Sequence, residues 1–78
     1  MGAWADELAR CRYERDQYKA RATAKRKEWR ALKVARRPLE ALEAMGRMHE
    51  YSARARQLQQ EVDNLKPRVA TERAQSKQ

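Results

Sequence analysis

Cys11 and His49 are the one cysteine and the one histidine in the chain. A thiol beside an imidazole could build a nucleophile with its base, or half of a zinc site. Carboxylates that could pair for acid–base work are scattered, and no glycine-rich phosphate loop is present. The most concentrated chemistry is positive. The stretch TAKRKEWRALKVARRP, residues 23–38, holds one acid, Glu28, among its lysines and arginines. Such a run can contact phosphate or acidic protein, or it can be the solvated face and last turn of a helix. Which of these groups converge depends on the elements that carry them.

Composition limits those elements. In 78 residues there are two glycines, two prolines and no phenylalanine, while 38% of the side chains are charged. Turn material is too scarce for a many-stranded sheet, and a chain rich in Ala, Glu, Lys, Leu and Arg favours long helices. No long apolar run is present, so neither a membrane span nor a signal peptide is expected. Gly2 follows Met1, but Asp6 stands where a myristoylation signal needs Ser or Thr. A single cysteine forms no internal disulfide, which fits a reducing compartment and a cytoplasmic chain. The net charge of +8 favours acidic partners, and residues 1–37 carry +7 of it, with twelve bases against five acids.

Two apolar stripes follow alternating steps of four and three. The first is Trp4, Leu8, Cys11, Arg15, Tyr18, Ala22, Lys25, Trp29 and Leu32; the second is Ala41, Ala44, Met48, Tyr51, Ala55, Leu58, Val62, Leu65 and Val69. Each is a heptad seam, and Arg15 and Lys25 have aliphatic stems that can lie along one. The stripes are out of phase, and the break falls at Pro38, a residue suited to the first position of a helix. Asp6 and Glu7 open the first element while Lys33, Arg36 and Arg37 close it; Glu40 and Glu43 open the second.

The spacing therefore predicts an all-α, antiparallel two-helix coiled-coil hairpin. Helix one covers about 3–35, the turn 36–37 and helix two about 38–66, with the hairpin spanning 1–69. The alternative is one long kinked helix, because no Gly or Asn marks a turn. Folding back about the Arg36–Arg37 bond pairs Trp4 with Val69, Tyr18 with Ala55, Ala22 with Tyr51 and Trp29 with Ala44. The three inner aromatic rings, Tyr18, Tyr51 and Trp29, thus each meet an alanine, which fills a seam without voids. Pro67 is expected to end or kink helix two, and the polar residues 70–78 read as a disordered tail.

On this frame Cys11 and His49 stand on the order of 20 Å apart at 1.5 Å per residue, so no dyad or metal pair forms within one chain. Cys11 reads as a small buried hydrophobe and His49 as a surface residue. No catalytic residue, metal ligand, cofactor or small-molecule substrate is expected, and the chain reads as non-enzymatic.

Two surfaces remain. Beside the first seam runs a row of Arg12, Asp16, Lys19, Thr23, Arg26, Arg30, Lys33 and Arg37, six of the eight basic. Its neighbours across the groove are Met45, Ser52, Gln59 and Lys66, which offer no neutralising acid. On the other flank Glu7 is expected near Arg68 and Glu28 near Arg47. The second surface is apolar: Leu39, Leu42 and Met45 form a ridge outside the seam, with Val34 close by across the turn.

A two-helix hairpin buries little, so self-association or a partner is expected. Two hairpins meeting through the apolar ridge would form a twofold homodimer, a four-helix arrangement in which Glu40 and Glu43 offset the charge of Arg36 and Arg37. The function expected first is a protein-binding module: a regulator, inhibitor or assembly adaptor of the kind that phages and mobile elements encode. The alternative is a nucleic-acid-binding accessory protein that uses Arg12, Lys19, Arg26, Arg30, Lys33 and Arg37. No zinc-finger spacing or helix-turn-helix pattern accompanies that row.

Overall fold

The computed structural model describes residues 2–76. It contains α1, Ala3–Val34, and α2, Pro38–Ser76, folded against one another as an antiparallel hairpin. The single kinked helix is excluded. No Gly or Pro interrupts 3–34, and only Thr23 and Val34 there are β-branched, so backbone and side-chain entropy both permit a helix of 32 residues. Asp6 in the first turn and Lys33 in the last face the macrodipole ends that favour them.

The turn needs neither Gly nor Asn because an arginine takes the strained position. Arg36 has φ 58°, in the left-handed region. Its N–H donates to the Lys33 carbonyl at 3.1 Å, and the Arg37 N–H donates to the Leu32 carbonyl at 3.0 Å. These two bonds are the Schellman pattern, which satisfies carbonyls that the end of α1 leaves open. Pro38 then starts α2 with a φ already fixed for a helix, and the Ala41 N–H reaches back to the Arg37 carbonyl at 3.0 Å.

The seam is the one the spacing predicts. On α2, Ala41, Ala44, Ala55, Leu58, Val62, Leu65 and Val69 are buried, with Met48 and Tyr51 half-buried. On α1, Leu8 and Cys11 are buried, Trp4 is exposed at its edge, and the other seam positions are half-buried. The asymmetry follows from size: large rings on α1 cover alanines on α2 completely while their own outer edges stay wet. The densest packing lies away from the turn, where Leu8, Cys11, Val62, Leu65 and Val69 form one cluster with Ala5 against it. Midway, the Tyr18 and Tyr51 rings lie 6.1 Å apart and tilted by 39°, so Tyr18 reaches a neighbour diagonal to its expected partner Ala55.

Helix two does not end at Pro67. It runs to Ser76, ten residues past the expected limit, so the expectation of a disordered tail is corrected for residues 70–76; Lys77 and Gln78 lie outside the described residues. Pro67 sits on the exposed outer face, where its ring meets solvent, while Leu65 and Val69 on either side are held in the cluster. That anchorage offsets a break that otherwise costs about 3 kcal/mol. The Thr71 hydroxyl donates to the Pro67 carbonyl at 2.9 Å. Beyond it, the Glu72 carboxylate lies so close to Gly2 that a β-carbon there would collide with it.

Candidate interaction surfaces

Charged side chains in the seam are turned aside rather than buried. The Arg15 guanidinium donates to Gln59 Oε1 at 2.8 Å and to Asp16 Oδ1 at 3.1 Å, and the Lys25 ammonium donates to Glu28 Oε2 at 2.9 Å. The last contact overturns an expectation. Glu28 pairs with Lys25 and Glu7 with Arg10, each on its own helix, instead of crossing to Arg47 and Arg68. Arg68 lies over the Trp4 ring at 4.7 Å, and Arg47 is 3.9 Å from Glu43. A partner one turn away on the same helix is already within reach, so the longer crossing is not made.

The two flanks of the hairpin differ in charge. One groove, of about 710 Å³, carries three acids (Glu7, Glu14, Glu61) against three bases (Arg10, Arg54, Arg68). The opposite groove, of about 650 Å³, is lined by Lys19, Thr23 and Arg26 from α1 and by His49, Ser52, Arg56 and Gln59 from α2, over a floor of Ala22, Ala55 and Met48. It contains no acid. All six basic residues of the row singled out in the sequence, Arg12, Lys19, Arg26, Arg30, Lys33 and Arg37, are exposed. Arg37 is 3.5 Å from Glu40 and Lys33 lies over Trp29 at 4.7 Å, whereas Arg12, Lys19, Arg26 and Arg30 make no ion pair among the described residues. Arg56 and His49 were missed by the sequence reading. They stand on the row of α2 one step outside Ser52 and Gln59, and following that second row would have found them.

The apolar surface is where the spacing puts it. Val34 is 86% exposed, Leu39 81% and Leu42 58%, and Met45 is half-buried. Gly46 follows, exposed, with open space where a side chain would stand. Beside these residues the turn carries a small cleft lined by Lys33, Arg36, Arg37 and Pro38.

The structure does not bring Cys11 and His49 together: one lies in the apolar cluster and the other in the basic groove. Burial, and then a 3.4 Å hydrogen bond from its Sγ to Glu61 Oε2, push the Cys11 thiol up from its ordinary pKa and hold it protonated. Among the described residues no three His, Cys, Asp or Glu side chains are grouped so as to hold a metal ion, and no helix is long and apolar enough to cross a membrane. No family model, curated protein or solved structure matches this chain.

Proposed function

We propose that this chain is a non-enzymatic, cytoplasmic protein-binding module, a regulator, inhibitor or assembly adaptor, whose working end is the apolar patch at the turn. The observation that carries this reading is the exposure of Val34, Leu39 and Leu42 in a chain with few large apolar side chains to spare. Leaving them wet gives the hairpin nothing, since none serves its seam. The occupant proposed for the patch is a second copy of the chain. A twofold axis through the turn ends would set the ridge of Leu39, Leu42 and Met45 against itself and make four helices of two.

Charge limits the strength of that contact. Symmetry brings Arg36 and Arg37 of both copies together at the turn. Glu40 and Glu43 were expected to offset this repulsion across the interface; Glu40 instead meets Arg37 of its own chain, and Glu43 meets Arg47. The neutralisation is local. Four side chains per copy make an interface below the standard size of about 1,200–2,000 Å², so association is weak and exchanges readily.

Static light scattering at tens of micromolar decides the matter. The wild type is expected to give twice the chain mass, and Leu39→Glu/Leu42→Glu to give the mass of one chain with helicity unchanged. A wild type that remains monomeric removes the homodimer and leaves the patch to a foreign protein.

A further inference from the structure

We propose that the acid-free groove on one flank of the hairpin, with the basic row of α1 beside it, is a docking surface for the phosphate backbone of a double-stranded nucleic acid, held without reading its sequence. This goes beyond self-association at the turn and does not depend on it. From Arg26 to Lys33 the cations of α1 follow at steps of four and three residues, about 4.5–6 Å apart along the helix axis, and Arg37 follows in the turn. Phosphates of one strand follow at about 3.4 Å along the duplex axis, so the row offers one cation for every one to two phosphates. Across the groove Arg56 adds a further guanidinium, and Thr23, Ser52 and Gln59 add neutral polar groups. Arginine is suited to such a site, because its planar fork meets two phosphate oxygens at once. Lys19, Arg26 and Arg30 are unpaired, so engaging them breaks no ion pair first, whereas Arg37 already stands 3.5 Å from Glu40.

Three features select among polyanions. An acidic helix would need an apolar stripe to bury, but the floor between Lys19 and Arg56 offers two alanines and half-buried Met48. A phosphate backbone needs none. A single strand gains its affinity by stacking bases on aromatic rings. Here Tyr18, Tyr51 and Trp29 are engaged in the seam, and exposed Tyr13 stands on the outer face of α1. A duplex, with its bases already stacked and its phosphates outward, asks only for the cations. Finally, two helices side by side are too wide to enter a major groove of about 12 Å, so base edges stay out of reach and binding is indifferent to sequence.

The experiment is fluorescence anisotropy with the full chain and labelled duplexes of about 20 base pairs, in DNA and in RNA, at about 50 and 200 mM salt. At the lower salt the wild type is expected to bind at least one duplex, equally for two unrelated sequences. Contact with about four to six phosphates gives a slope of log affinity on log salt between about −3.6 and −5.4 on duplex DNA. Arg26→Glu/Arg30→Glu/Arg56→Glu should lose at least about tenfold in affinity. Arg21→Glu/Arg47→Glu/Arg54→Glu, the same charge change on the opposite side, should lose less than about threefold, because those side chains meet no phosphate. Circular dichroism checks both triples, and glutamine versions replace any that unfold. No binding at the lower salt, equal losses in the two triples, or tighter binding of oligo-dT than of either duplex overturns the proposal. So does polyglutamate binding as tightly as the duplex, which would assign the face to an acidic protein.

Discussion

Arg36 is the residue at which this fold stores strain. A left-handed conformation costs an L side chain about 1–2 kcal/mol, and glycine adopts it freely. Arg36→Gly should therefore raise stability by about 0.5–1 kcal/mol, after the added freedom of the unfolded chain is set against the relief. Thermal melting reads this directly, and an unchanged or lowered Tm would mean that the guanidinium contributes something the turn geometry does not require. Cys11 offers a second test. Its folded pKa is raised, so the stability that its burial contributes is complete below the unfolded value of about 8.5 and is lost as the pH climbs through the folded one. The gap in Tm between wild type and Cys11→Ala should shrink from pH 8 to pH 11. A constant gap would mean that the thiol ionises equally in both states.

At the scale of the element, the register rests on the pairing of rings with alanines. Ala55 is 5% exposed, whereas Ala20 faces solvent. Ala55→Trp should cost about 1–3 kcal/mol through overpacking, and Ala20→Trp close to nothing. Equal shifts in urea midpoint for the two would contradict the seam. That seam was legible in the sequence because heptad spacing is a property of the sequence itself, and the change of phase at Pro38 located the fold-back. What could not be read depended on neighbours. Nothing in Arg36 announces a left-handed residue, since any side chain can be forced there when the two helices are already committed. Pro67 reads as a terminator because its own chemistry opposes a helix; Leu65 and Val69, packed on α1, outweigh it. The cross-helix pairs of Glu7 and Glu28 failed for the converse reason, a nearer partner on the same helix. The apolar patch was readable because Leu39 and Leu42 are out of phase with the seam. Arg56 was overlooked although the same register brings its row on α2, one step outside Ser52 and Gln59, to the basic groove.

Taken whole, the molecule is a rod. Its Cα atoms extend over 63 × 13 × 13 Å, with a radius of gyration of 17.8 Å. A compact chain of this length would have a radius of about 11.5 Å. The difference governs how the protein moves through solvent. Friction grows with the long axis and not with mass, so one hairpin diffuses like a globular protein well above its 9.2 kDa. On a sizing column calibrated with globular standards, a monomer would elute where a dimer is sought. Tumbling is anisotropic as well: end-over-end rotation is slower than spinning about the axis. Amide vectors lie along that axis in both helices, so NMR relaxation would report the slow rotation, and a monomer would mimic a dimer. Sedimentation equilibrium, which weighs particles without regard to shape, avoids both errors.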